Sequence, residues 1–189
     1  MPESFHNIAF GPVPSRRLGR SLGINNVVAK TCSYTCVYCQ VGPTTEKVIE
    51  PRAFFTPVQV YEAVAAQLDK TREAGATVDY LTFVPDGEPT LDINLGESIE
   101  GLRPLGIPVA VLTNASLLWR EDVRKRLAGA DLVSVKVDSV IDSVWREVNL
   151  PHHDLRLNAI LDGIRVFAAG YKGTLISETM LLDGINDGS

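Results

Sequence analysis

Residues 32–39 read Cys32-Ser33-Tyr34-Thr35-Cys36-Val37-Tyr38-Cys39 and hold every cysteine of the 189-residue chain. The spacing is C-x3-C-x2-C. Thiols this close in sequence can converge on one point, which suits a metal ion or a cluster. A structural zinc site takes four protein ligands, and catalytic zinc takes three and keeps an open position. A [4Fe–4S] cube takes four thiolates. With three available, one iron of a cube has no cysteine and is open to a substrate or cofactor. Two other readings fit the same residues: a zinc set completed by His152 or His153, and buried thiols that hold no metal.

The rest of the composition narrows the setting. An odd number of clustered cysteines is no disulfide framework, which points to a reducing compartment and hence the cytoplasm. No run of eighteen apolar residues exists, so no membrane span is expected. Ser15-Arg16-Arg17 has the look of a twin-arginine export signal, but Leu18-Gly-Arg-Ser-Leu-Gly-Ile-Asn-Asn after it is too polar for an h-region. The formal net charge of -5 argues against a broad, nonspecific grip on nucleic acid. The length suits a single domain over residues 1–189.

Outward from the cysteines, the chain alternates strands and helices. Residues 1–23, with Pro2, Pro12 and Pro14, read as an irregular N-terminal strap, and Ile24–Ala29 as the first strand. Thr56 is a good N-cap and Pro57 a good first helical residue. Val60, Val64, Ala65 and Leu68 then repeat at helical spacing, which predicts a helix over 57–73 stopped by Gly75. Strands are expected at 78–84, 108–113, 132–137 and 174–182, with helices at 92–103, 118–128, 140–148 and 155–169. Alternation of this kind gives βα units and a parallel sheet with helices outside. Sites in such sheets lie at the C-terminal strand ends, and every polar motif of this chain falls there. In the fourth strand Val133, Val135 and Val137 lie on one face, and Ser134, Lys136 and Asp138 on the other. Period-2 alternation turns the valines toward helices and the polar groups toward a lumen. A lysine there needs a partner, either Asp138 or a bound anion.

C-x3-C-x2-C closely resembles the signature of the radical SAM superfamily. The resemblance implies one [4Fe–4S] cluster on Cys32, Cys36 and Cys39, with S-adenosylmethionine (SAM) on the open iron. It also implies reductive cleavage of SAM to a 5′-deoxyadenosyl radical, followed by hydrogen abstraction from a substrate. An external electron donor of the flavodoxin or ferredoxin type is implied too. Tyr38 sits where family members carry an aromatic residue beside the adenine. Asp86-Gly87-Glu88-Pro89 resembles the family's Gly-Gly-Glu strip, which bonds the methionine amine, with Asp86 in place of the first glycine. Thr113 and Asn114 match strand-end positions that bond the ribose or carboxylate. Ser134, Lys136 and Asp138 match positions for the ribose hydroxyls and the methionine carboxylate. Glu178 shares the parity of Ile176 and Met180 and is a candidate ribose or substrate contact, or else part of a rim salt bridge. His152 and His153 are either an acid pair or solvated surface.

The leader Phe10-Gly-Pro-Val-Pro-Ser-Arg-Arg-Leu-Gly-Arg-Ser-Leu-Gly and the run Cys32–Gly42 resemble the wyosine-synthase-like branch. That makes tRNA a possible partner by resemblance, one that the acidic charge does not support. Arg16, Arg17 or Arg20 would meet an anionic substrate group. That branch uses a second cluster where its chemistry is established, and no cysteines remain here for one. The expected fold is a partial (β/α) barrel of the radical SAM type. Five to six βα units are expected, five strands being counted, with the last unit missing or truncated. An edge of the sheet would then need cover from a helix, a loop, a partner or a second copy. A SAM-binding scaffold that is idle without a partner is the remaining alternative.

Overall fold

The computed structural model describes residues 8–187; the first seven residues, His6 among them, and the last two lie outside it. Two strands, β1 (Ala9–Ser15) and β2 (Gly19–Ile24), form an antiparallel hairpin. This corrects two expectations. Within the described part of 1–23 the chain is a hairpin and not an irregular strap, and the first parallel strand ends at Ile24 where it was expected to begin. Pro12 and Pro14 sit on an edge strand, where a missing N–H costs no interior pairing. Leu22 and Ile24, both fully buried, carry the period-2 signal.

From β2 the sheet grows in parallel through β5 (Tyr80–Phe83), β6 (Val109–Thr113), β7 (Leu132–Lys136) and β8 (Thr174–Glu178). The order is β1-β2-β5-β6-β7-β8, and a separate two-residue parallel pair joins β3 (Thr31–Cys32) to β4 (Glu46–Lys47). Five parallel strands are present, as counted from the sequence, and β1 covers one flank of them. Arg17, in the hairpin turn, forms an ion pair with Glu178 at the end of β8. A contact between the first hairpin and the last strand requires the sheet to curl, so the fold is a mixed α/β partial barrel.

The helices cover the convex side. Helix α1 (Pro57–Glu73) opens with a capping box in which Thr56 and Gln59 satisfy each other's backbone amides, and Gly75 follows it with φ +71°. Helices α2 (Leu95–Leu102), α3 (Glu121–Leu127), α4 (Asp142–Asn149) and α5 (Leu157–Gly170) follow in turn. Their buried residues, such as Val64, Ile99, Leu127 and Ile160, pack against Val111, Val133 and Val135 in one core. A smaller apolar cluster of Leu18, Ala110 and Leu132 fills the lower part of the concave face. The expected alternation in β7 holds: Val133 and Val135 join the helix-side core, while Ser134 reaches Glu178 on the other face.

Candidate active site

The cysteine loop leaves β3 and lies over the C-terminal ends of the strands. Its backbone folds as two successive turns, Cys39 N to Cys36 O at 3.0 Å and Gly42 N to Cys39 O at 3.0 Å, with Gly42 at φ +85°. All three thiols are free; Cys32 and Cys36 are half-buried and Cys39 is exposed. Burial, with the charge of Glu88 next in weight, pushes the Cys32 thiol up to about 12, and burial also raises Cys36.

Helix α4 is the platform on which this loop rests. The last carbonyls of a helix have no partner inside it. Here the Asn149 carbonyl accepts from Thr35 N at 3.0 Å and the Val148 carbonyl from Val37 N at 2.9 Å. Tyr34 meets Trp145 edge-on at 6.0 Å between ring centroids, and the indole N–H donates to the Tyr34 hydroxyl at 3.2 Å. On the other side Ser33 and Ser116 share a hydroxyl hydrogen bond of 2.6 Å.

Two carboxamides reach the thiols. Asn114 Nδ2 lies 3.5 Å from Cys32 Sγ and donates to Ser33 Oγ at 2.9 Å. Asn149 Nδ2 lies 3.3 Å from Cys36 Sγ and donates to Asp138 Oδ2 at 2.7 Å. Asp138, buried, also accepts from the Tyr38 hydroxyl and from Met180 N at 2.8 Å. Lys136 does not pair with Asp138. Its ammonium sits 5.0 Å from the centroid of the Tyr38 ring, a cation–π contact.

Glu88 is fully enclosed. Its Oε1 accepts from the hydroxyls of Thr90 and Thr113, both at 2.6 Å, and its Oε2 accepts from Asn114 N at 2.8 Å. Burial raises its pKa, and these donors oppose the shift. Glu88 and Thr113 are thus satisfied by each other and join the end of β6 to the strip after β5. Gly87 backs onto the carbonyl of Thr31, one residue before Cys32, so its missing side chain makes room for the cysteine loop. Asp86 contributes its carbonyl, which accepts from Lys30 N at 2.5 Å. Ser134 donates to Glu178 at 3.0 Å above a cavity of about 180 Å³, which Arg16, Arg17, Leu18 and Ile176 also line.

Of the residues singled out in the sequence, Cys36, Tyr38, Lys136 and Asp138 gather around Asn149, Cys32 meets Asn114, and Cys39 is exposed on the same loop. Ser134 and Glu178 form a second group lower on the concave face, and Glu88 with Thr113 a buried strut. Sequence reasoning missed Asn149, whose one local signal is its place as the last residue of a helix before Leu150-Pro151. The histidines do not join the thiols. Among the described residues, the one set of three His, Cys, Asp or Glu groups with ligand atoms within 4.8 Å of one another is His152, His153 and Asp154. Thiolates on a shared zinc would stand about 3.8 Å apart, so the cysteine set is not arranged for that ion. The two imidazoles stack, with ring centroids 4.3 Å apart and 27° between planes.

A curled, mostly parallel sheet with three free thiols on a loop over its C-terminal rim defines the class of the protein, an α/β partial barrel. The sequence profile of the Radical SAM superfamily matches residues 26–189, and the chain belongs to that superfamily. The UPF0026 protein MJ1312 of Methanocaldococcus jannaschii is 57% identical over 178 residues, which are 94% of this chain and 55% of that protein. The UPF0026 protein slr1464 of Synechocystis is 42% identical over 175 residues, 92% of this chain and 64% of that protein. The chain therefore spans between about half and two-thirds of these relatives. The structure of TYW1 with a lysine-pyruvate adduct bound aligns with a TM-score of 0.67 at 20% identity, covering 89% of this chain and 57% of that one. The fold matches the expected one, and the wyosine synthase is among its structural neighbours. Among the described residues no helix is long and apolar enough to cross a membrane.

Proposed function

We propose that the chain is the catalytic core of a radical SAM enzyme, holding one [4Fe–4S] cluster on Cys32, Cys36 and Cys39 and taking an electron from an external donor. The donor set fits the group: three free thiols on one loop, two of them with a carboxamide at the sulfur and the third open to solvent. The cluster, when bound, supplies the electron that cleaves SAM to a 5′-deoxyadenosyl radical, the family's shared chemistry.

The protein's part is positioning. Glu88 fixes the end of β6 through Thr113 and the Asn114 amide. It thereby sets where the Asn114 carboxamide meets Cys32. The Gly87 strip offers backbone acceptors for the methionine amine, since glycine lets a ligand approach the main chain. Lys136 has a ring partner and no carboxylate, which leaves its charge for the methionine carboxylate. Tyr38 is held by Asp138 and presents its ring at the same rim. Ser134 and Glu178 line the cavity below, where ribose hydroxyls or a substrate would find an acceptor. Packing on both sides of the loop excludes water from Cys32 more than from Cys39.

The observation that carries this reading is the seating of the cysteine loop over β6 and β7, with Asn114 at Cys32 and Asn149 at Cys36. Anaerobic reconstitution with iron and sulfide, then dithionite and SAM, should release 5′-deoxyadenosine. A protein loaded with four irons that releases none would overturn the catalytic reading. Zinc in place of iron and sulfide in anaerobically purified protein would overturn the cluster.

A further inference from the structure

Asn149 is the last residue of α4 and is almost fully buried, with 2% of its surface exposed. Its carboxamide nitrogen lies 2.7 Å from Asp138 Oδ2 and 3.3 Å from Cys36 Sγ. The two acceptors lie on different elements, the exit of β7 and the cysteine loop, and one NH2 group spans them. Asp138 is itself fixed by Met180 N and the Tyr38 hydroxyl, so it cannot turn away. The Asn149 backbone is fixed too, through its carbonyl and Thr35 N at 3.0 Å. Leu150 follows in the left-handed region at φ 42°, ending the helix at the point where the carboxamide faces the sulfur. A side chain held at both ends in this way can present one N–H in a single direction. Sulfur accepts such a bond more strongly as negative charge on it grows.

We propose that Asn149 is a positioning residue that sets the reduction potential of the cluster through a hydrogen bond to the Cys36 thiolate, and that Asp138 holds it in place. This rests on the cluster reading above. Hydrogen bonds to cluster sulfurs are one of the levers on potential. The reduced cluster carries one more negative charge, so an N–H donor stabilises it more than the oxidised form and raises the potential. Asp138 is the outer partner that keeps the donor aimed. One electron from dithionite reduces the cluster in the test, and no other redox partner is needed.

The test compares reconstituted wild-type protein with Asn149→Leu and Asp138→Asn by dye-mediated potentiometry, read as the EPR signal of the reduced cluster. With iron and sulfide contents equal to wild type, Asn149→Leu should shift the midpoint to a more negative potential, and Asp138→Asn, which also removes a negative charge beside Cys36, should leave it above that of Asn149→Leu. An equal midpoint in Asn149→Leu would overturn the inference. Pulsed hyperfine spectroscopy on the wild type carrying 15N-labelled asparagine gives a readout that needs no variant. It should find an exchangeable proton and a carboxamide nitrogen coupled to the reduced cluster, and this coupling should persist in Asn114→Ser. If no such coupling is found, the inference fails even where Asn149→Leu loads poorly. Wild-type protein that takes up no iron and sulfide would instead overturn the cluster reading itself.

Discussion

The carbonyl oxygen of Thr31 occupies the space where a side chain at Gly87 would begin: a Cβ built there would lie 2.2 Å from it, with Val27 Cγ2 at 3.0 Å. Both neighbours are crowded by one methyl, and the first is backbone, which cannot swing aside. Gly87→Ala should therefore push the Thr31–Cys32 segment off the rim. Overpacking of this kind costs about 1–3 kcal/mol. Urea unfolding should show that loss, and iron retained after anaerobic gel filtration should fall with it. An unchanged urea midpoint would mean that the loop gives way without strain.

Glu88 tests the buried strut. Glu88→Gln keeps one oxygen but places an NH2 opposite a backbone N–H, either Asn114 N at Oε2 or Thr90 N, which Oε1 accepts at 3.1 Å. A buried donor left facing a donor costs about 1–3 kcal/mol. We expect destabilisation in that range by urea unfolding. An opposing gain comes from removing a carboxylate that burial disfavours in its charged form, so a variant as stable as wild type would show that desolvation outweighs the four accepted hydrogen bonds.

Much of this was legible in the residues themselves. Cys32–Cys39 and its spacing marked the site. The period-2 alternation of Val133, Ser134, Val135 and Lys136 gave both faces of β7. Thr56-Pro57 marked the start of α1 to the residue. What could not be read is how a polar group is used once the chain closes. Glu88 and Thr113 look like free strand-end ligands in one dimension, and in three they satisfy each other. Lys136 needed a partner and found the Tyr38 ring in place of Asp138, because Asp138 already accepts from Asn149, Tyr38 and Met180. The hairpin was hidden by Pro12, Pro14 and three glycines in residues 9–24 that look like loop chemistry, although an edge strand tolerates the prolines. Asn149 carried one signal, its place at a helix end before Leu150-Pro151, and that says nothing of a thiol.

Accessibility orders the thiols of the metal-free protein. Cys39 is exposed, while Cys32 is half-buried with its thiol pushed up to about 12. The thiolate is the reactive form. Iodoacetamide at pH 8 should label Cys39 first and Cys32 last, read by peptide mass spectrometry over time. Equal labelling rates would mean that the loop is open before the cluster is present.

Asp92, with no exposed surface, is pushed up from its ordinary 3.8 to about 6, chiefly by burial. The folded protein then holds this proton more tightly than the unfolded chain does. The contribution to stability is complete below about pH 4 and is lost as pH rises through about 6. On this group alone the loss is on the order of 2–3 kcal/mol, and Glu88 acts in the same sense. Urea midpoints measured from pH 4 to 7 should fall with rising pH, and the slope should flatten in Asp92→Asn. A slope that Asp92→Asn leaves unchanged would assign it to other groups.

The Arg17–Glu178 pair clasps the first hairpin to the last strand, yet Arg17 keeps 55% of its side-chain surface exposed. Pairs in solvent contribute about 0–1 kcal/mol. Arg17→Ala should cost less than about 1 kcal/mol, and 1 M salt should erase the difference in urea midpoint. A larger loss would mean that the hairpin turn holds the curl of the sheet.

Because β1 runs against its five companions and closes their flank with a strand bearing two prolines, the sheet has a finished side and an unfinished one. Among the described residues, the row of backbone donors and acceptors still free to zip onto another strand follows Thr174–Glu178. A strand added beside β8 would lie within reach of the Ser134–Glu178 cavity and of Met180, whose N–H holds Asp138 under the cysteine loop.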